Sequence, residues 1–206
     1  LAAINDPKSA ADEATKKKVG KILLIIGICM LVLGIVFILI GFMGCGKSTI
    51  GKMIATKTNM NFTDLDEYIT CKEGMSIPEI FSQKGEPYFR AKEAEAVKEL
   101  SGKNTVIACG GGTILNDNSA TAARENGVVI FLDVPFESCY ERIKDDTNRP
   151  LVVNNTKEQL REIFDHRHDI YLKNSTLSLL ADKSPFEICE DILSTIKIFK
   201  KQGDLS

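Results

Sequence analysis

Two observations predict that this chain folds as an α/β protein built around a parallel β-sheet. From residue 36 onward, short apolar runs alternate with longer amphipathic stretches, and this alternation is typical of βαβ units. The first run leads directly into the complete motif G-x-x-x-x-G-K-S/T at residues 41–48, which joins a strand to a helix in such proteins. Five apolar runs have the length of a strand, so the sequence predicts five strands in one sheet.

The elements follow in order along the chain. The predicted strands are residues 36–40, 61–64, 105–109, 128–133 and 177–181. The main helices are predicted at residues 48–57, 87–100, 135–144 and 156 to about 172. Capping signals mark two more helices: one begins with Ser76 and Glu79 and ends at Gly85, and the last begins at Ser184 with Pro185. The polar, turn-rich segment 145–155 is predicted to be a mobile loop.

Composition and charge exclude several classes of protein. The chain has 206 residues, 44% apolar and 26% charged, so a disordered or collagen-like chain is excluded. Its formal charge of −2 lacks the basic excess typical of nucleic-acid-binding proteins. The six cysteines form no C-x-x-C pair, and His166 and His168 lack a third ligand at metal-binding spacing. These patterns argue against a zinc site or a disulfide scaffold and indicate a reducing compartment.

The glycine-rich motif predicts a phosphate-binding loop. Its glycines let successive backbone N–H groups curl around a phosphate, and the helix that follows adds its positive N-terminal end. We expect Lys47 to reach the β- and γ-phosphates of a nucleotide and the Ser48 hydroxyl to bind Mg²⁺. The alternative is an accidental glycine turn, and the strand before the motif and the helix after it argue against that alternative.

Two aspartates, Asp64 and Asp66, lie at the end of the second predicted strand. A turn there can bring both carboxylates to the cleft beside the phosphate loop. One carboxylate suits an outer-shell contact to Mg²⁺, and the other suits a substrate hydroxyl, as hydrogen-bond acceptor or general base. Helix capping by aspartate is the alternative interpretation.

Glycines and arginines complete the candidate site. Three glycines follow the third predicted strand, at the sheet edge where open α/β sheets bind ligands; a flexible turn is the alternative. Any arginine that faces the cleft is a candidate for binding a carboxylate or a phosphate, and a surface charge is the alternative for each. The candidates are Arg90, for which a solvated pair with Glu93 is the alternative, Arg149 in the predicted loop, and Arg167.

Together these motifs resemble those of the shikimate kinase family. The resemblance covers residues 36 to about 200 and rests on GFMGCGKSTIG, DLDEYI, SIPEIF, GEPYFRAKE, VIACGGG, NRPL, and the helix that carries Arg167 before Tyr171. It implies a three-layer, NMP-kinase-like P-loop fold with helices on both faces of the sheet, a substrate-binding segment and a lid. It also implies transfer of the γ-phosphoryl group of ATP to the 3-hydroxyl of shikimate, on the pathway to chorismate and the aromatic amino acids.

Carried over by position, the resemblance gives each candidate residue a role. The residues that would hold ATP in the phosphate loop are Gly44, Cys45, Gly46, Lys47, Ser48 and Thr49. Ser48 would bind Mg²⁺, with Asp64 supporting the metal ion from nearby. Where the family often has an arginine beside the adenine, this chain has Lys183, so that contact departs from the family pattern.

The resemblance also assigns the acceptor site and the lid. The residues that match the shikimate contacts are Asp66, Arg90, Gly111, Gly112 and Arg167. Asp66 would take the hydroxyls and the two arginines the carboxylate. Arg149 matches the lid arginine that reaches the ATP phosphates, so the catalytic group implied is Lys47, Asp66 and Arg149.

Two rival functions share some of these features. Another small-molecule P-loop kinase, for gluconate or a nucleotide, would have the same phosphate loop but would not call for this set of aspartates and arginines. A membrane-tethered ATP-binding module without catalysis would fit the apolar head of the chain, but the intact catalytic candidates argue against it.

The head, residues 1–34, precedes a predicted kinase domain of residues 35–206. Residues 1–20 indicate a polar tail with a helix at 9–18, whereas residues 22–40 carry no charge and have the length of a membrane helix. If residues 36–40 form the first strand, the remaining helix is about 21 Å long, shorter than a hydrocarbon core of about 30 Å. We therefore predict a cytoplasmic, monomeric catalytic domain whose apolar head lies on a membrane, packs against a partner or is a fusion remnant.

Overall fold

A five-stranded parallel sheet forms the centre of the structure, a computed structural model that describes residues 36–147 and 149–203, with side chains up to residue 196. The strand order is β2-β3-β1-β4-β5, and every neighbouring pair is parallel. The strands are β1 (Val36–Ile40), β2 (Asn61–Asp64), β3 (Thr105–Ala108), β4 (Val128–Asp133) and β5 (Leu177–Leu180). All five predicted strands are confirmed to within one residue.

Helices cover both faces of this sheet. They are α1 (Lys47–Thr58), α2 (Leu65–Glu73), α3 (Ile77–Lys84), α4 (Glu86–Leu100), α5 (Asp117–Asn126), α6 (Phe136–Ile143), α7 (Pro150–Val153), α8 (Lys157–Asn174) and α9 (Pro185–Gly203). From β1 to β2 the chain moves toward one edge of the sheet, and from β2 through β3 and β4 to β5 it moves toward the opposite edge. Because crossovers between parallel strands are right-handed, α1 lies on one face, where α9 packs against it, and α4, α5 and α8 lie on the other.

The central strand β1 is buried along its whole length. Its residues pair with β3 on one side and β4 on the other, with Ile38 opposite Ile107 and Val129. A strand buried on both faces needs a continuous apolar run, which explains the absence of alternation in its sequence. The prediction that residues 36–40 form this strand, rather than the end of a membrane helix, is confirmed.

Two helices, α2 and α5, are not predicted from the sequence, and the predicted loop at residues 145–155 contains a short helix. Asp64 caps α2 and Asn116 caps α5, each accepting hydrogen bonds from two backbone N–H groups. Residues 145–155 were predicted to be a mobile loop throughout, but Pro150–Val153 form the single turn α7, which begins with a proline at a position that favours helix entry.

The structure contains no helix, among the residues that it describes, that is long and apolar enough to cross a membrane. The predicted head, with its helix at 9–18 and its apolar run at 22–35, lies outside the described residues.

Candidate active site

A cleft of about 640 Å³ opens at the carboxyl edge of the sheet, beside the ends of β1 and β3. The chain leaves these adjacent strands in opposite directions, so the cleft lies at the topological switch point, where open α/β sheets bind ligands. The charged side chains that line it are Lys47, Asp64, Asp66, Arg142, Arg149 and Lys183. Both acidic and basic side chains therefore line the cleft. Cationic side chains suit the phosphates of a nucleotide, and carboxylates suit a metal ion or a hydroxyl group.

The phosphate loop between β1 and α1 takes its shape from two glycines. Gly44 has a φ of 80° and Gly46 a φ of 94°, in the left-handed region that side chains disfavour. A Cβ at Gly44 would lie 2.7 Å from the carbonyl oxygen of Cys139, so the loop packs directly against the backbone of α6. Cys45 is buried in the loop and Thr49 is exposed in the first turn of α1, and both line the cleft.

Lys47, the first residue of α1, folds back over the phosphate loop. Its ammonium group donates to the carbonyl oxygens of Gly41 and Phe42, at 2.9 and 3.0 Å. The Lys47 charge is thus held at the mouth of the loop, where the outer phosphates of a nucleotide would lie.

Ser48 and Asp64 meet between α1 and β2. The Ser48 hydroxyl donates to Asp64 Oδ2 at 3.0 Å, while Asp64 Oδ1 accepts from the backbone N–H of Asp66 at 3.2 Å. Asp64 therefore caps α2 with one oxygen and faces the phosphate loop with the other. The two interpretations of this residue, as a helix cap and as a site residue, are compatible.

Asp66 lies in the first turn of α2, between the phosphate loop and the glycines that follow β3. Burial raises the pKa of its carboxyl group and the charge of Asp64 raises it further, whereas Lys47 and Arg90 lower it. A carboxylate with a raised pKa is better suited to take a proton from a hydroxyl. Asp66 Oδ1 lies 2.8 Å from the position that a Cβ at Gly110 would occupy, so the carboxylate points at the glycine turn.

The glycine turn, residues 110–112, touches a different functional side chain at each position. Gly110 faces Asp66, as described. A Cβ at Gly111 would lie 3.8 Å from Arg167 Nη1, and a Cβ at Gly112 would lie only 2.8 Å from Arg90 Nη2. The turn thus gathers the predicted acceptor-site residues, although Gly112 and the two arginines lie beside the cleft and not on its wall.

For shikimate, the acceptor that the motif resemblance implies, we expect Gly112→Ala to raise the KM about ten- to a hundredfold. The backbone at Gly112 has φ −100° and accepts alanine without strain, so the new methyl group acts only by pushing the Arg90 guanidinium out of place. Steady-state kinetics would measure this effect, with the KM for ATP as the internal control. An unchanged KM for shikimate would show that the position of Arg90 does not matter for binding.

Arg90, on α4, is held by two carboxylates. Its Nη1 donates to Glu93 Oε2 at 2.8 Å, and its Nη2 donates to Glu86 Oε1 at 2.8 Å. Glu93 is fully buried and also accepts a hydrogen bond from the Thr113 hydroxyl. The alternative of a solvated Arg90–Glu93 pair is therefore correct about the pair and wrong about its solvation, because α5 and the turn before it cover Glu93. The pair fixes the guanidinium in one orientation.

Arg167 projects from α8 toward the glycine turn, and within the described residues it forms no ion pair. Its neighbour His168 turns away, with Nε2 3.1 Å from Asp133 Oδ1 and its ring against Phe131 and Phe164. No group of three metal-ligating side chains occurs among the residues that the structure describes. An arginine without a carboxylate of its own is suited to bind an anionic group of a ligand.

Arg149 reaches the cleft from the start of α7. Its Nε donates to Asp146 Oδ2 at 2.7 Å, and its side chain is 47% exposed. Helix α7 has no fully buried residue, but Leu151 and Val152 are half-buried and pack against the hydrophobic core. The segment is therefore partly helical and partly anchored, and its role as a lid remains a prediction.

Two further cations line the cleft from other elements. Lys183, before α9, pairs with Asp191 Oδ2 at 2.8 Å and lies near Pro185. Sequence reasoning misses Arg142, on α6, whose Nη1 donates to the carbonyl oxygen of Gly44 at 3.0 Å. Its sequence neighbours carry no signal of this role, because the role depends on the packing of α6 against the phosphate loop.

A phosphate loop at the switch point of a parallel sheet, faced by carboxylates and arginines, defines the class of small-molecule P-loop kinases. Comparison with known proteins narrows this class. The family described as shikimate kinase matches residues 43–197. A shikimate kinase from Persephonella marina is 42% identical over 160 residues, which cover 77% of this chain and 97% of the relative.

Solved structures agree with this match. The shikimate kinase from Acinetobacter baumannii, in complex with shikimate, has a TM-score of 0.73 and 32% identity, covering 79% of this chain and 93% of that one. The shikimate kinase from Aquifex aeolicus has a TM-score of 0.69 and 38% identity, covering 79% of this chain and 96% of that one. This chain belongs to the shikimate kinase family, and the resemblance of its motifs is confirmed.

Proposed function

We propose that this chain transfers the γ-phosphoryl group of ATP to the 3-hydroxyl of shikimate. One observation carries the proposal: the phosphate loop follows β1, and the glycine turn, with its carboxylate and two arginines, follows the adjacent strand β3. A nucleotide on the loop and an acceptor at the turn would therefore lie side by side. The Asp66 carboxylate can act as a general base toward a hydroxyl, and two arginines can bind a carboxylate. This set therefore matches an acceptor that has both hydroxyl groups and a carboxylate.

The nucleotide would lie with its phosphates on the loop. Backbone N–H groups of residues 44–49 and the N-terminus of α1 would bind the phosphate oxygens, and Lys47 would move from its carbonyl partners to the outer phosphates. Arg142 and Pro185 line the same cleft, and a planar guanidinium and a proline ring are suitable surfaces for a nucleotide base. Lys183 lies beside them and would act at this part of the site.

Ser48 and Asp64 fit a Mg²⁺ ion. Both offer oxygen atoms, the donors that this ion prefers, and the two oxygens are 3.0 Å apart. Two protein oxygens are enough, because Mg²⁺ in kinases keeps several waters and binds the substrate phosphates. When bound, the ion would neutralise charge on the phosphates during transfer.

Contacts to its carboxylate and to its attacking hydroxyl would orient the acceptor. Arg167 and Arg90 would bind the carboxylate of shikimate, and Asp66 would accept a hydrogen bond from the hydroxyl that attacks the γ-phosphorus. As the new P–O bond forms and the bond to ADP breaks, the proton of that hydroxyl would pass to Asp66. Arg149 would close over the phosphates with the lid and stabilise the charge that spreads over the transferred group.

A coupled assay of ADP release tests the proposal. We expect Mg²⁺-dependent ADP release with shikimate that greatly exceeds the release without it. Gluconate and nucleoside monophosphates are the comparison acceptors, since kinases for them share the phosphate loop. A higher rate with either of these acceptors, or a rate independent of any acceptor, would refute shikimate as the substrate.

We expect Arg167→Ala to lower kcat/KM for shikimate at least about a hundredfold. The substitution removes a charge-assisted pair with the carboxylate, for which about 3 kcal/mol is a reasonable value. The KM for ATP should change little. Arg161→Ala is the matched control, because Arg161 lies on the same helix and pairs at the surface with Asp165. Equal activities of the two variants would refute the role of Arg167.

We also infer that the kinase domain is cytoplasmic, since ATP is available in that compartment. Lysines before the apolar run would keep its N-terminus in the cytoplasm and would place a kinase beyond a full span on the other side. Fractionation of the full chain, compared with a chain that starts near residue 34, tests this inference. Resistance to carbonate extraction together with protease protection of the kinase would contradict the charge argument.

A further inference from the structure

The Tyr171 side chain lies under the glycine turn. Its hydroxyl donates to the carbonyl oxygen of Gly111 at 2.6 Å, and only 2% of the residue is exposed. The ring packs against Phe131 of β4, with ring centroids 5.3 Å apart. Tyr171 is therefore too deeply buried to contact a substrate, but it is bonded to a residue of the turn on which the acceptor site is built.

The same tyrosine is a neighbour of Arg167. The two residues are four positions apart on α8 and so lie on the same face of the helix. Burial raises the pKa of the Tyr171 phenol while the positive charge of Arg167 lowers it, and Arg167 Nη1 lies 3.8 Å from the Cβ position of Gly111, the residue to which Tyr171 donates. One buried hydroxyl thus stands between the arginine on α8 and the backbone of the turn after β3.

We propose that Tyr171 is a positioning residue for the acceptor carboxylate: its hydroxyl ties the glycine turn to α8 at Gly111 and so fixes Arg167 relative to Asp66. This inference rests on the proposed role of Arg167. Arg90 has Glu93 and Glu86 to orient it, whereas Arg167 has no carboxylate partner among the described residues and needs another group for that purpose. The bond from Tyr171 to Gly111 serves this purpose, because it holds the turn against α8 one helical turn from Arg167 and does not neutralise the arginine charge.

The chemistry of the phenol suits this task. Burial raises the pKa of Tyr171, so the hydroxyl keeps its proton and goes on donating to Gly111 at any pH used for an assay. A carboxylate in the same place would pair with Arg167 and compete with the substrate for it. A neutral donor leaves the guanidinium available.

Tyr171→Phe tests the proposal, because it removes the hydroxyl and keeps the ring that packs on Phe131. We expect the KM for shikimate to rise about fivefold to tenfold, the effect of losing one hydrogen bond, while kcat and the KM for ATP stay within about twofold. Tyr68→Phe is the matched control, since it removes a hydroxyl that donates to Glu99 at the surface.

A second measurement separates positioning from a merely structural role. For each variant, kcat/KM is measured with shikimate and with its carboxamide, and the ratio of the two values is taken. The ratio does not depend on how much of a variant is folded. Loss of carboxylate recognition should lower it in Tyr171→Phe by about the same factor as the KM changes, whereas general damage to the fold would lower both activities equally and leave the ratio unchanged.

Two outcomes would overturn the inference about Tyr171, and a third would overturn the proposed role of Arg167 on which it rests. If the ratio for Tyr171→Phe equals that of the wild type, Tyr171 does not act on carboxylate binding. If Tyr171→Phe and Arg167→Ala have fully additive effects in the double variant, Tyr171 does not act through Arg167. If Arg167→Ala alone leaves the ratio unchanged, the proposed carboxylate site itself is wrong, whatever Tyr171 does.

Discussion

Asp66→Asn is expected to lower kcat by about 100- to 10,000-fold, the range typical for loss of a general base. An amide has nearly the shape of the carboxylate but cannot accept the proton of the attacking hydroxyl. The position of Asp66 favours this role, since the residue is half-buried, its carboxyl group has a raised pKa, and the carboxylate points at Gly110 beside the phosphate loop. Steady-state kinetics with shikimate and ATP would measure the loss, and the KM for ATP should change little.

The matched control for this variant is Glu67→Gln, which neutralises an exposed carboxylate one residue further along α2. It should keep nearly full activity. If Asp66→Asn retained more than about a fifth of wild-type kcat, proton transfer to Asp66 would not be required, and the residue would only orient the hydroxyl.

Arg149→Ala is expected to lower kcat by about a thousandfold, the lower end of the range for an arginine that stabilises a transferring phosphoryl group. The KM for shikimate should change much less, because Arg149 would act on the phosphates and not on the acceptor. Arg149→Lys should recover only part of the loss, since an ammonium group lacks the planar fork of guanidinium. Single-turnover kinetics would separate the chemical step from product release.

The lid interpretation of Arg149 has its own test. Hydrogen exchange of residues 145–155 should slow when a nucleotide binds, because the single turn α7 has no fully buried residue and closure over the phosphates would add contacts to it. Lys144→Ala, at the base of this segment, removes only an exposed pair with Glu141 and should leave kcat unchanged. Equal exchange with and without nucleotide would contradict closure of the lid.

The centre of the sheet could be predicted from sequence because β1, β3 and β4 are buried almost continuously, whereas the edge strands β2 and β5 are partly exposed. β1 is an unbroken apolar run, and β4 is one up to its last residue, Asp133. Such runs can be recognised in a sequence without knowing which strands they pair with. Helix α5 could not be found in this way, since the residues it buries are three alanines and a serine, which give little apolar periodicity. Helix α2 has only nine residues and buries only Leu65 and Ile69, so its apolar periodicity is too short to identify.

The candidate site also contains parts that the sequence predicts and parts that it does not. The phosphate loop is contiguous, so its motif and its geometry come together in the sequence. Arg142 and the burial of Glu93 depend on contacts between elements far apart in the chain, and a single sequence does not contain those contacts. The roles of Asp66, Arg90 and Arg167 came from the resemblance to a family and remain predictions, although one turn gathers all three.

That turn has a consequence for how acceptor binding and nucleotide binding are separated. Asp66, Arg90 and Arg167 each approach a different glycine of residues 110–112, so a side chain added at any of these positions would meet a different one of the three. The phosphate loop follows the neighbouring strand β1. A substitution in the turn would therefore act on the acceptor groups, whereas a substitution in the phosphate loop would act on the nucleotide. Choice of acceptor and hold on the nucleotide could thus be altered separately, through two adjacent pieces of backbone.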